Sequence, residues 1–183
     1  MIPMLSLAIP AAEFFDESSN VFEYTKPTKL VLEHSLVSIS KWESKWCKPF
    51  FSKEPKTDEE ALDYVRCMTI TQNVNPLVYQ SLSAAHLRQI QSYIEEPMTA
   101  TWFKEKPKAS GREIVTNEII YYWMAALGVP FECEKWHLNR LLTLIRVCNE
   151  KQKTPQKPPK GRKALAGRKA LNQARRNSLH TKG

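Results

Sequence analysis

Thr28-Lys29-Leu30-Val31-Leu32-Glu33-His34-Ser35-Leu36-Val37-Ser38-Ile39-Ser40-Lys41-Trp42-Glu43-Ser44-Lys45-Trp46 contains the change of period that decides the fold. Up to Leu32 the spacing is two, with Leu30 and Leu32 on one face, which predicts a strand. Beyond His34 the apolar residues Leu36, Ile39, Trp42 and Trp46 recur at three- and four-residue steps, which predicts a helix over 35–48 that Pro49 ends.

Toward the N-terminus the strand reading continues. Residues 4–9 suit a short strand, and 13–24 read as strand, polar turn, strand. With 28–32 they predict a small antiparallel sheet within residues 1–33. Met1 to Ala12 is apolar, but no basic residue precedes Lys26, and Pro3 and Pro10 interrupt it. It reads as strand rather than targeting segment. No apolar run reaches the roughly 18 residues that a membrane span needs.

Toward the C-terminus the period stays helical. Thr57-Asp58-Glu59-Glu60 is a capping box, and Ala61, Val65 and Met68 supply one apolar face behind it. Glu59, Glu60 and Asp63 read as a solvated acidic face, as do Glu95 and Glu96. Asn73-Val74-Asn75-Pro76 is turn chemistry. Ser83 caps a helix with the stripe Ala84, Leu87, Ile90, Ile94, stopped at Pro97. Residues 98–111 form a connection. Ser110 to Glu113 has capping-box spacing and predicts a helix through Leu127, with Gly128 as its C-cap. Ile119 to Leu127 is apolar on every side, so this helix is central or has a second, partner-facing surface. A last helix is expected from Glu132 to Lys151.

Charge divides the chain. Residues 1–150 hold 16 basic and 19 acidic side chains, whereas 151–183 hold eleven basic and no acidic ones. A folded body of residues 1–150 with a basic arm of residues 151–183 is therefore expected. Prolines 155, 158 and 159 favour an extended linker. Gly-Arg-Lys-Ala-Leu occurs at 161–165 and at 167–171. A six-residue repeat does not keep one helical face, so the arm is expected to be disordered, or to fold only on a partner. No aromatic residue follows Trp136, so nucleic-acid contact through the arm would be phosphate-based and blind to sequence.

The residues spell no activity. There is no GxxxxGK, GxSxG or HExxH. The cysteines, Cys47, Cys67, Cys133 and Cys148, are widely spaced and read as reduced thiols. Cys133 and His137 lie four apart, but no spacing brings them two more ligands, so no metal is expected. No cofactor and no catalytic residue is expected either. Trp136 and Arg140, also four apart, are placed for a cation–π contact.

Leu32 to Trp46, Glu118 to Met124, Phe131 to Leu142 and Ala170 to Arg176 together resemble segments of tail assembly chaperones of long-tailed bacteriophages, over roughly residues 29–149 and the end of the arm. The resemblance implies a non-enzymatic protein of the host cell cytoplasm. Its partners would be the helical tape-measure protein and tail-tube subunits, with self-association as a further option. The candidate partner-binding residues are Tyr121, Tyr122, Trp123 and Trp136 in the body and Arg162, Lys163, Arg168, Lys169, Arg175 and Arg176 in the arm. The alternatives are a nucleic-acid-binding accessory protein and a structural virion component. The expected fold is α+β, with a small sheet over 1–33, helices over 34–150 and the basic tail.

Overall fold

A computed structural model describes residues 4–17, 20–103, 114–152 and 162–179, with the backbone alone for 162–168. The fold is α+β. The chain divides into two units, Met1–Asn149 and Glu150–Gly183.

Four strands open the first unit: β1 (Leu5–Ile9), β2 (Ala12–Asp16), β3 (Val21–Thr25) and β4 (Thr28–Leu32). β1 pairs with β4 and β2 with β3, both antiparallel. Leu5 faces Leu32, Ile9 faces Thr28, Ala12 faces Thr25 and Asp16 faces Val21, so a single register runs through both pairs. That register sets Pro10 opposite Pro27. Neither proline has an N–H to give, so the ladder lapses there and the ribbon becomes two pairs. Thr25 Oγ1 bridges the lapse, accepting from the Ala12 N–H and donating to the Ala12 carbonyl.

The proximal pair is built into the core. Leu7, Ile9, Leu30 and Leu32 are all buried. β4 gains a further neighbour beyond the ribbon, where Glu33 N–H donates to the Met68 carbonyl and Ile70 N–H to the Val31 carbonyl.

α1 (Leu36–Trp46) carries Leu36, Ile39 and Trp42 into that core. Ser35 caps it, and Ser38 bonds back to the Ser35 N–H, a reciprocal box that the sequence reading did not use. The helix stops at Cys47, whose φ of 50° is left-handed, before Pro49 is reached. α2 (Asp58–Met68) starts at the expected Thr57–Glu60 box. Its inner face is Tyr64, Val65 and Met68, and Ala61 is exposed.

The acidic face of α2 corrects the sequence reading, for Glu60 and Asp63 are buried. Lys48 pairs with Glu60, while Lys45 and the Trp46 indole N–H hold Asp63. A carboxylate near an amphipathic helix edge can be drawn in when flexible lysines close over it. Glu60 is held below its ordinary pKa by Lys48 and by the Thr57 amide. Burial opposes the charge of Asp63, but the bonds from Lys45 and Trp46 outweigh it and its pKa is also lowered.

The short helix α3 (Leu77–Gln80) follows the Asn73–Pro76 turn, where Asn75 Oδ1 accepts from the Leu77 N–H. In α4 (Ala84–Glu95) the expected stripe holds in its second half, where Ile90 is buried and Ile94 packs partly buried against the core; Ala84 and Leu87 are exposed and Tyr93 is buried instead. The face is turned because the Tyr93 hydroxyl reaches in to accept from the His34 N–H. α5 (Asn117–Leu127) ends at Gly128, with φ 67°, as expected. The expected start at Ser110 is corrected: residues 114–116 are not helical, and α5 begins at Asn117 after Thr116; Ser110 itself lies outside the described residues. The Asn117 N–H at the head of α5 donates to Glu43 Oε2 at 2.8 Å, and Glu43 Oε1 accepts from the Phe50 N–H at 2.6 Å. One buried carboxylate thus ties α1, its exit loop and α5 together and meets the positive end of α5.

The expected helix from Glu132 is split. Phe131–Lys135 is a 3-10 turn, Trp136 is extended, and α6 (Leu138–Gln152) begins where the Leu138 N–H donates to the His34 carbonyl. That tertiary hydrogen bond replaces the helical one.

The second unit holds one described helix. Arg162–Leu179 is an 18-residue helix, α7. It is rich in Ala, Leu, Lys and Arg and has no proline, and such residues favour helix without any packed face, although Gly167 works against it. The repeat offset argues against one stripe and does not argue against helix. No helix of the described residues is long and apolar enough to cross a membrane.

Candidate partner-binding surfaces

α5 is apolar all round, and the structure gives its two sides different fates. Ile120 and Met124 are buried. On the other side Tyr122 is 69% exposed, beside exposed Ala125 and Ala126. Tyr121 and Trp123 lie at the edges, half-buried. Tyr121 packs near exposed Phe131, with ring centroids 6.3 Å apart, and donates to Glu134 Oε2 at 2.8 Å. Burial and the accepting carboxylate push its pKa up to about 12. Trp136 is half-buried, with the Arg140 guanidinium 4.0 Å from its ring centroid, the cation–π contact expected from the spacing. Tyr121, Tyr122 and Phe131 thus contribute aromatic surface from α5 and the 3-10 turn, while Arg140 covers part of Trp136.

A second surface is concave. α2 and α4 leave a groove of about 550 Å³ lined by Phe50, Leu62, Val65, Leu87, Ile90 and Ile94, with Lys56, Asp58 and Gln91 among its polar groups. Leu87 is half-exposed in it. Lys56 donates to the Phe50 carbonyl, and its ammonium lies 4.1 Å from the Phe50 ring centroid and 5.3 Å from that of Trp42. Burial pushes its pKa down. An apolar channel with a few polar groups suits the apolar stripe of a helix.

The third surface is the distal ribbon, β2–β3. Phe15, Val21, Phe22 and Tyr24 are each about half to two-thirds exposed. Phe15 and Phe22 are register partners with centroids 4.9 Å apart. A hydrogen bond to Glu13 raises the pKa of the Tyr24 hydroxyl. Sequence reading passed over this surface. The available signal was that β2 and β3 mix aromatic and acidic residues on both faces, so neither strand has a clean side for a core.

In the arm, Arg162, Lys163 and Arg168 fall on α7, and Lys169, Arg175 and Arg176 are exposed on it.

The buried polar groups cluster elsewhere. Ser38 gives its only hydroxyl hydrogen to the Ser35 carbonyl, so Tyr64 donates to Ser38, and His34 Nδ1–H donates to the Tyr64 hydroxyl. His137 Nε2–H donates to the Tyr93 carbonyl at 2.9 Å, and its ring lies 5.0 Å from that of His34. Among the described residues its Nδ1 has no partner. Burial first, and His137 second, lower the His34 pKa to about 3; burial likewise lowers that of His137. Both rings are therefore neutral and work as ties between α1, α2, α4 and the start of α6. All four cysteines are free thiols. Comparison with protein-family models, with curated proteins and with solved structures finds no match to this chain.

Proposed function

We propose that the protein is a non-enzymatic tail assembly chaperone of a long-tailed bacteriophage. It acts in the host cytoplasm, holding the tape-measure protein, tail-tube subunits or both before the virion is built. The observation that carries this reading is the apolar groove between α2 and α4, with Leu87 half-exposed inside it. A tape-measure protein is a long helix with apolar faces, and helix-in-groove contact is the mode that covers such faces. The aromatic side of α5, with Tyr122 outermost, supplies a second anchor of the kind that dominates binding energy. The resemblance over residues 29–149 supplies the identity of the partners.

Co-expression with tape-measure and tail-tube proteins, followed by pull-down of the full chain, tests it. Capture of either is expected, and Leu87→Glu is expected to abolish capture with the melting temperature kept. Capture of neither bait ends the proposal. A second reading is favoured by the exposed bases of α7, Lys169, Arg175 and Arg176. It is sequence-blind nucleic-acid binding, for which duplex-DNA affinity would fall steeply with the logarithm of salt concentration. Recovery of the protein in purified virions would instead favour a structural virion component.

A further inference from the structure

The β2–β3 ribbon is costly as it stands. A two-stranded ribbon is marginal in water, and this one leaves Phe15, Val21, Phe22 and Tyr24 largely in solvent. Its charge is one-sided. Glu13, Asp16, Glu17 and Glu23 lie between Ala12 and Thr25, and no Lys, Arg or His does. Register puts Glu13, Phe15, Phe22 and Tyr24 on one face, and Phe14, Asp16, Val21 and Glu23 on the other. Each face therefore mixes rings with carboxylates. Edge-to-edge pairing of two such ribbons would bring like charges together, which is the usual device against self-pairing. The fitting partner is cationic, with short aliphatic side chains for the rings.

α7 has that chemistry. Arg162, Lys163, Arg168, Lys169, Arg175 and Arg176 fall within it, and no acidic residue does. Leu171, Arg175 and Leu179 follow at four-residue steps, so they form one row, and all three are exposed. The row spans about 12 Å at 1.5 Å per residue. A five-residue strand spans about 17 Å. The row can lie along the face of Phe15, Phe22 and Tyr24 with the leucines on aromatic rings and Arg175 beside Glu13, where a guanidinium also stacks well on a ring.

We propose that the β2–β3 ribbon is a docking site for α7 of a second copy of this chain. The two patches differ, so the contact is heterologous, and copies associate ribbon to helix. The pairing does not depend on the chaperone role.

The test is complementation in the full-length protein, read by sedimentation velocity. The unaltered chain is expected to associate at low salt and to disperse at about 0.5 M salt, where the Debye length is only a few ångströms. A ribbon variant, Phe15→Ser with Phe22→Ser, and a helix variant, Arg175→Glu with Arg176→Glu, are each expected to associate at least about tenfold more weakly. Mixed together, they are expected to form a dimer, because one retains the ribbon and the other the helix. Glu13→Gln with Glu23→Gln serves as the ribbon variant if the serine pair lowers the melting temperature. A monomeric unaltered chain at low salt overturns the proposal. So does association of either variant at unaltered strength, or a mixture that stays monomeric; that last result would leave each helix to its own chain or to another partner.

Discussion

The two halves of the N-terminal ribbon share one register and are both built of strand-forming residues, aliphatic in one and aromatic and acidic in the other, and they live in different solvents. In β1–β4 the inward residues Leu7, Ile9, Leu30 and Leu32 are almost wholly buried. In β2–β3, Phe15 and Phe22 are about half exposed although they are larger and as apolar. The difference begins at Pro10 and Pro27, where the ladder lapses, and is completed by what lies alongside. β4 has α1 following it and residues 68–70 bonded to it; β2 and β3 have each other. Strand propensity and alternation make a ribbon, but burial is conferred by neighbours.

Mutation of matched positions should widen this contrast. Leu30→Ala in the proximal half is expected to cost about 3–4 kcal/mol, since it leaves a cavity among close-packed side chains. Urea unfolding checks it; a loss under about 1 kcal/mol would mean that the proximal half is as loosely held as the distal one.

Glu43→Ala comes next, at about 2–3 kcal/mol, because the Phe50 and Asn117 N–H groups would lose their shared acceptor. Hydrogen exchange at the first turn of α5 should quicken in this variant, while exchange in β2–β3 stays as it was. Unchanged exchange in α5 would show that Glu43 does not hold that helix in place.

His34, two residues beyond β4, gives the proximal half a pH dependence. Its folded pKa, about 3, lies below the ordinary value, and that of His137 is lowered too. A depressed pKa contributes stability above the unfolded value of about 6.5, and that stability is lost as pH falls below it. Between about pH 7.5 and 5.5 the expected loss is about 1.4 kcal/mol from His34, and His137 adds to it in the same direction. Urea midpoints across this range check it. A flat profile would mean that water or a proton reaches the rings without unfolding.

Phe22→Ala should change stability least, by under about 1 kcal/mol, because a half-exposed ring forfeits little on truncation. A larger loss would show that the distal ribbon is tied to the core more firmly than its exposure indicates.

Much of the layout was legible beforehand. The strand-to-helix switch at His34, the Thr57–Glu60 box, the Gly128 cap and the contact of Arg140 with Trp136 all rest on interactions between residues a few positions apart. What escaped reading depended on distant partners. Leu87 turned outward because Tyr93 answers to His34, fifty-nine residues away. Asp63 is buried because Lys45 and Trp46 of another helix close over it. The helix expected from Glu132 breaks at Trp136 because the His34 carbonyl takes the first amide of α6. Among the candidate site residues, spacing found the aromatic run on α5, but which of its rings face solvent was not readable, since that run is apolar on every side.

By itself the sequence determined most of the element types, the caps at Thr57, Ser83 and Gly128 and the separation of charge between body and arm, because turn chemistry, helix capping and charge counting act within a few residues. The tertiary structure alone decided which apolar residues are core and which are surface. Val21, Phe22 and Tyr24 are strand residues as good as Leu30 and Leu32. Residues 68–70 and the core helices close over one pair, while the prolines interrupt the ladder and carboxylates on both faces leave the other pair no clean side, and together these separate a buried strand from an exposed one.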